Sequence, residues 1–280
     1  MQRQHISHRI AFVGALAMLG YPYAVVLRRL VHNWLTDPEM AHAVLVPFVI
    51  LALLFHRRKT LGAIAPEPSW LGILPLGFGV VGYAMAVWGA GLFIATLAGI
   101  GSLCGVILLT LGRAIFRTML APLSLSVFAL PRFALLYDPL TNPLQHLSAT
   151  VATGGLRLLG VEASHSASLI TVAGFPVLLA ESCSGVRFLI PLLFLAALLV
   201  QLRPISRIVA VALMAATVPL AVMINAIRVG VLVYLAGTHQ GKPPENLHTW
   251  LGYPLYGLAL GVLLFLARLT EPLLAQRKPA

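Results

Sequence analysis

Long apolar runs separated by short polar segments fill most of the chain. A transmembrane helix needs about 20 predominantly apolar residues, and eight runs approach or reach this length. The predicted spans are residues 10–30, 43–55, 70–88, 92–111, 114–130, 188–202, 208–235 and 250–267. The run at 43–55 is short, so a re-entrant segment is the alternative there. We count it as a span because its flanking His and Arg side chains can reach outward to the interface.

The pattern changes between residues 131 and 182, where no apolar run is long enough to span a bilayer. Pro139 and Pro143 precede apolar residues at roughly helical spacing, which predicts an interfacial amphipathic helix. Residues 169–172 and 177–179, separated by Gly174-Phe175-Pro176, predict a short hairpin. The predicted fold is therefore an all-α polytopic membrane protein of about eight transmembrane helices. The small amphipathic helix and the hairpin are predicted to be extracytoplasmic and to precede the sixth span.

Composition agrees with this class of protein. Hydrophobic residues make up 59% of the chain, charged residues make up 10%, and the mean hydropathy is +0.93. Soluble globular domains are only about 45 to 50% apolar. The 280 residues predict a single integral membrane domain, 1–280, in contact with the lipid bilayer. The net charge of +11 comes from dispersed Lys and Arg residues, which indicates topology rather than nucleic-acid binding.

The basic residues predict the orientation of the chain. With the N-terminus in the cytoplasm and eight spans, twelve of the 19 Lys and Arg residues lie on the cytoplasmic side. Arg28 and Arg29 are exceptions. In this topology the start of the sixth span, the end of the seventh and the start of the eighth all lie at the outer face of the membrane.

Three residues with complementary chemistry are predicted to meet at that face. Cys183 stands between two serines just before the sixth span, Arg228 lies about two turns below the outer end of the seventh, and His248 opens the eighth. A thiolate can attack an amide carbonyl, a histidine can transfer protons to the leaving amine, and an arginine can stabilise the thiolate or the oxyanion. This set of residues predicts acyl transfer.

Each of these residues also has a structural alternative. A cysteine at a membrane boundary is often a small packing residue, and Arg228 can form a buried polar pair with Asn225 or reach the interface as an anchor. His42, His146, His165 and His239 are rival histidines on the predicted outer side. Cys104 lies inside an apolar run and is predicted to pack there. The chain has no HExxH, CxxC or glycine-rich phosphate loop, so no metal or cofactor is predicted.

The order of these motifs resembles the exosortase/archaeosortase family. Glu181-Ser182-Cys183-Ser184-Gly185, then Asn225-Ala226-Ile227-Arg228-Val229, then His248 at the start of the final span are similar to its three signature blocks. The segment from His42 to Arg58 and Pro143-Leu144-Gln145 add to the resemblance. The resemblance implies a polytopic membrane cysteine peptidase or transpeptidase. Its substrates would carry a C-terminal sorting signal, a short motif such as Pro-Glu-Pro followed by a transmembrane helix and a basic tail.

The resemblance also implies roles for individual residues. Cys183 would be the nucleophile, Arg228 the transition-state stabiliser and His248 the proton carrier, with an acyl-enzyme thioester passing to an acceptor amine or to water. The supporting residues would be Glu181, Ser184, Gly185, Arg187 and Asn225. Arg187 lies one helical turn after Cys183 and is a second candidate that can share or take the electrostatic role of Arg228.

The sequence thus predicts a thiol protease or transpeptidase that acts at the outer face of a bacterial inner membrane. A small-molecule transporter and a membrane acyltransferase are the alternatives. The chain's own Pro66-Glu67-Pro68 falls in a predicted cytoplasmic loop and is interpreted as a turn. The sequence makes no prediction of oligomeric state.

Overall fold

A computed structural model describes residues 2–132, 134–166, 169–178, 185–203, 205–239, 241 and 247–269. Side chains are described for all of these except residues 2–6, 134–136, 248 and 249. The chain divides into two compact units, Met1–Phe133 and Ala134–Ala280.

In the first unit, helices are joined by short non-helical segments. Its α-helices are α1 (Gln2–Thr36), α2 (Leu45–His56), α3 (Arg58–Ala63), α4 (Ile73–Met85), α5 (Gly91–Thr110) and α6 (Arg113–Ser124). Short 3-10 helices lie at Ala41–Val44, Trp70–Gly72 and Leu125–Ala129, and a π-helical turn lies at Ala86–Ala90. Side chains bridge distant parts of this unit. Trp34 donates a hydrogen bond to the carbonyl of Ala129 at 3.0 Å, and Arg57 donates one to the carbonyl of Thr118 at 2.9 Å.

Helices α4 and α5 form the tightest helix pair of this unit. Gly89 and Gly91 have φ values of 111° and 85°, so the chain leaves the helical conformation at this point and turns back. The two helices approach closely because Gly79 faces Ser102 and the carbonyl of Ala98, which leaves no room for a Cβ atom. Small residues at a helix interface allow this close approach in membranes. The structure thus forms the helix pair that the sequence predicts on either side of Gly89-Ala90-Gly91.

The second unit combines helices with a small sheet. Its elements are α7 (Ala134–Leu158), β1 (Ala163–Ser166), β2 (Leu169–Val172), β3 (Phe175–Leu178), α8 (Val186–Leu202), α9 (Arg207–His239) and α10 (Leu247–Leu269). The sheet is antiparallel in the order β1-β2-β3. Helix α7 packs on α9, and β2 and β3 also pack on α9.

The sheet differs from the predicted hairpin in two ways. A third strand, β1, pairs with β2, with Ala163 opposite Val172. The turn lies at Ala173-Gly174, whose φ values are 51° and 80°, rather than at Gly174-Phe175-Pro176. Positive φ at both central residues is the two-residue turn that suits a twisted hairpin. Phe175 and Pro176 therefore belong to β3, and the predicted second strand begins two residues too late.

Helix α7 is also longer than the amphipathic helix that the sequence predicts. It begins at Ala134, so Pro139 and Pro143 lie inside the helix rather than before it. Its buried face packs along α9 and contributes Ala149, Ala152 and Leu156 to an apolar cluster of the second unit.

The described helices establish a multi-pass membrane protein and fall short of eight full-length spans. Among the described residues, four helical segments are long and apolar enough to cross a bilayer: Ser7–Thr36, Trp70–Thr110, Arg207–His239 and Trp250–Leu269. The second of these contains both α4 and α5. Two shorter apolar helices, Ala41–His56 and Val186–Leu202, correspond to the predicted second and sixth spans. In place of the predicted fifth span, α6 ends at Ser124 and continues as a 3-10 helix to Ala129. The count of eight stays a prediction.

Candidate active site

A buried arginine lies within the apolar helix α9. Arg228 is 1% exposed, and Asn225, three residues earlier on the same face, is fully buried. A guanidinium in a membrane helix is costly to bury unless it faces protein or water. The burial of both side chains shows that Arg228 faces protein and does not reach the interface as an anchor.

Gly185 connects the cysteine motif to this helix. It precedes α8 and has a φ of 85°, and a Cβ atom at this position would lie 3.3 Å from Nδ2 of Asn225 and 3.4 Å from its Cβ and Cγ. The carbonyl of Gly185 accepts hydrogen bonds from the backbone N–H groups of Phe188 and Leu189, at 3.0 and 3.1 Å. Glycine suits this position because the left-handed conformation and the close approach of Asn225 both disfavour a side chain.

Phe188 of α8 contacts the arginine itself. The Cζ atom of Arg228 lies 5.3 Å from the centroid of the Phe188 ring, within the range of a cation–π interaction, and Phe188 is 4% exposed. Arg187, the predicted alternative to Arg228, is half-buried. The sequence does not predict a site role for Phe188 because this residue is indistinguishable from any apolar residue at the start of a span.

Asn225 and Arg228 lie where the packing of α9 changes from one apolar cluster to another. Ala221 and Ile224 pack with Phe188, Leu189 and Leu192 of α8 and with α10. From Ala226 onward, α9 packs instead with α7 and the sheet. Members of this cluster are Ala149, Ala152, Leu156, Ala163, Ile170, Val172, Ala226, Val229 and Val233. Asn225 and Arg228 thus form a polar layer at the junction of the two clusters.

An apolar groove of about 490 Å³ runs between α7 and α9 beside this layer. Small residues on both helices line it, including Ala152 and Gly155 of α7 and Ala226 and Gly230 of α9. Its wall is almost wholly hydrocarbon, so it suits an apolar chain or helix and does not suit a charged molecule.

The remaining predicted site residues are only partly covered by the structure. Glu181, Cys183 and Ser184 lie outside the described residues. His248 lies in the first turn of α10, as the sequence predicts for the start of the last span, and its side chain is outside the described part.

Three of the four rival histidines, His42, His146 and His165, have partners of their own. His42, in the first unit, forms a hydrogen bond with the carbonyl of Phe128 at 3.1 Å. His165 on β1 lies between the hydroxyls of Thr150 and Thr153 of α7, at 3.2 and 3.1 Å. The ring of His146 meets that of His165 edge to face, with centroids 5.4 Å apart. These contacts hold His165 against α7, so it connects the sheet to that helix.

Comparison with known proteins identifies the family. A family model described as transmembrane exosortase (Exosortase_EpsH) matches residues 34–266, which include every proposed site residue. No curated protein and no solved structure gives a significant match. The match extends over most of the chain, and the chain therefore belongs to the transmembrane exosortase family.

Proposed function

We propose that this protein is a membrane-embedded cysteine protease or transpeptidase that cleaves the C-terminal sorting signals of exported proteins. The signal would be a short motif of the Pro-Glu-Pro type followed by a transmembrane helix. Membership of the exosortase family supports this activity. The strongest structural support for this activity is the packing of Gly185 against Asn225. Asn225 lies one helical turn from the buried Arg228.

That packing restricts where the nucleophile can lie. Cys183 precedes Gly185 by two residues, and two residues of chain span at most about 7 Å. Asn225 and Arg228 are three residues apart on one helical face, a separation of about 5 to 6 Å between their Cβ atoms. We therefore expect Cys183 to lie in the same region as Asn225, and in the proposed mechanism the permanent positive charge of Arg228 favours its thiolate over the thiol.

The proposed reaction has two steps. The Cys183 thiolate attacks the scissile carbonyl carbon, a C–S bond forms, and Arg228 stabilises the oxyanion. The C–N bond then breaks, and His248 gives a proton to the departing amine, leaving a thioester on Cys183. An amine or a water molecule attacks the carbonyl carbon of this thioester, His248 takes the proton of that nucleophile, and the C–S bond breaks to release the product and regenerate the Cys183 thiolate.

The surroundings of Arg228 favour catalysis over transport. A transport pathway is expected to place polar groups along the membrane depth of several helices. On α9 the buried polar side chains at the site, Asn225 and Arg228, form one layer with apolar clusters on either side. A membrane acyltransferase would share the thioester, and the chemistry of its product would distinguish it.

Mass spectrometry of a co-expressed substrate tests the proposal. The substrate is a membrane-anchored reporter that ends in a Pro-Glu-Pro motif, a transmembrane helix and a basic tail. We expect the wild-type enzyme to shorten the reporter and to carry a hydroxylamine-sensitive adduct on Cys183, and Cys183→Ala to do neither. The matched control is Cys104→Ala, which removes the half-buried thiol of α5 and should leave cleavage intact. Equal cleavage by Cys183→Ala would refute the cysteine mechanism.

A further inference from the structure

Ser148 of α7 is a buried hydroxyl whose hydrogen-bonding capacity is unused. It is 0% exposed, and within the described part of the chain no hydrogen-bond partner reaches its Oγ atom. Buried polar groups in folded proteins nearly always have a partner, because desolvating them without one costs free energy. An exception of this kind needs an explanation.

The other buried hydroxyls of the second unit show how such groups are normally satisfied. Thr153, also on α7, donates to the carbonyl of Ala149 at 2.8 Å. Thr217 on α9 is fully buried and donates to the carbonyl of Met214 at 2.6 Å. Both bond to a carbonyl of their own helix, as serines and threonines in apolar helices usually do. Ser148 has no such bond within its helix, so its hydroxyl is free to serve another group.

The packing around Ser148 places it at the level of the polar layer on α9. Leu144, one turn before it, packs against the cluster that contains Phe188 and Ile224. Ala149 and Ala152, which follow it, belong to the cluster that contains Ala226 and Val229. Ser148 therefore lies on α7 where one cluster gives way to the other, as Asn225 and Arg228 do on α9. Gln145, also buried, lies three residues earlier on the same face.

We propose that Ser148 is a further catalytic residue, whose hydroxyl donates a hydrogen bond to the carbonyl oxygen of the scissile peptide as the thiolate attacks. The inference rests on the proposed cysteine mechanism. When the C–S bond forms, the carbonyl oxygen gains a full negative charge, which one buried cation and one neutral donor stabilise better than the cation alone. A serine hydroxyl suits this role because it rotates freely and donates one proton. No covalent bond to Ser148 forms or breaks.

Single-turnover cleavage of the same reporter in proteoliposomes tests this role, with Ser148→Ala as the variant. Removing an oxyanion donor typically slows the chemical step by about 100- to 1000-fold, and we expect the single-turnover rate constant to fall by that order. Ser148→Thr keeps the hydroxyl and should recover part of the rate. Thr217→Val is the matched control, because it deletes a buried hydroxyl that is bonded to its own helix, and it should cleave at the wild-type rate.

Thermal unfolding distinguishes a catalytic role of Ser148 from a structural one. Ser148→Ala breaks no hydrogen bond within the described structure, so its unfolding temperature should equal or exceed that of the wild type. A wild-type rate for Ser148→Ala, or a rate that falls only together with the unfolding temperature, would overturn the role of Ser148. If Cys183→Ala also cleaves normally, the proposed function itself fails. If Cys183→Ala is inactive and Ser148→Ala is normal, only the role of Ser148 fails.

Discussion

Gly185 is the described residue nearest in sequence to the proposed nucleophile. Its φ of 85° and its contact with Asn225 both argue against any side chain. We expect Gly185→Ala to lower cleavage by about 100-fold, because a displacement of about 1 Å at a reacting group can cost that much. The measurement is the initial rate of reporter cleavage, with membrane-inserted protein quantified in parallel.

A second glycine provides the control for Gly185. Gly160 has a similar φ of 79°, but a Cβ atom there would meet nothing within 4 Å. Gly160→Ala therefore carries the same backbone strain, about 1 to 2 kcal/mol, without pressing on the site. It should lose stability and keep its specific activity. Equal losses of activity in the two variants would mean that the contact with Asn225 is irrelevant to cleavage.

Arg228 and Arg187 are expected to differ in their importance for cleavage. Arg228 is buried in the polar layer and contacts Phe188, whereas Arg187 is half-buried. We predict that Arg228→Gln lowers kcat by about 100-fold or more and that Arg187→Gln lowers it less than about tenfold. Steady-state kinetics of both variants at equal protein levels decides between them. A larger loss of kcat in Arg187→Gln than in Arg228→Gln would assign the electrostatic role to Arg187.

Among the contacts between secondary-structure elements, the packing of α4 against α5 allows the most direct test by mutation. A Cβ atom at Gly79 would collide with Ser102 and with the carbonyl of Ala98, whereas a Cβ atom at Gly77 of the same helix would meet nothing within 4 Å. We expect Gly79→Ala to destabilise the protein by about 1 to 3 kcal/mol through overpacking. Gly77→Ala should be neutral or slightly stabilising because alanine favours the helix.

Thermal unfolding in detergent, followed by helical circular dichroism, compares these two glycine variants. The unfolding temperature of Gly79→Ala should fall clearly below that of Gly77→Ala. Identical temperatures would show that the two helices separate enough to admit a methyl group without cost.

The sequence predicts the helices of this protein better than its sheet. Apolar runs identify α1, α5, α9 and α10 because a membrane helix has a strong and local signal. Strand β1 was missed because Ala163-Ser164-His165-Ser166 has no alternation of apolar and polar residues, and its pairing with β2 is a tertiary contact. The position of the turn depends on positive φ at Ala173, a residue that rarely adopts it, so it could not be inferred from composition.

Some residues of the candidate site could be predicted from the sequence, and others could not. The buried pair of Asn225 and Arg228 was predictable, because a cation inside an apolar run must face protein or water. Phe188 and Ser148 were not predictable, since one resembles any lipid-facing residue and the other lies in a mixed polar segment. Their relevance arises from the packing of α7, α8 and α9 in the second unit, which no single segment of sequence encodes.

The proposed mechanism depends on the predicted orientation of the entire chain in the membrane. Because the proposed substrates are exported, the proposed function requires the sheet before Cys183 to lie outside the cytoplasm, and the predicted topology places the loop around Glu67 inside it. Both regions offer exposed positions, Ser164 on β1 and Glu67 before α4. Single cysteines at these positions, in a protein that lacks Cys104 and Cys183, therefore report the two sides of the bilayer.

We predict that a membrane-impermeant maleimide labels Ser164→Cys in intact cells and labels Glu67→Cys only after permeabilisation. Thr238→Cys, at the exposed end of α9, should behave like Ser164→Cys, because the seventh span ends on the same side. This third position also tests the number of spans between the sheet and the end of α9. Labelling of Ser164→Cys only after permeabilisation would place the sheet in the cytoplasm, where the proposed site could not meet an exported protein.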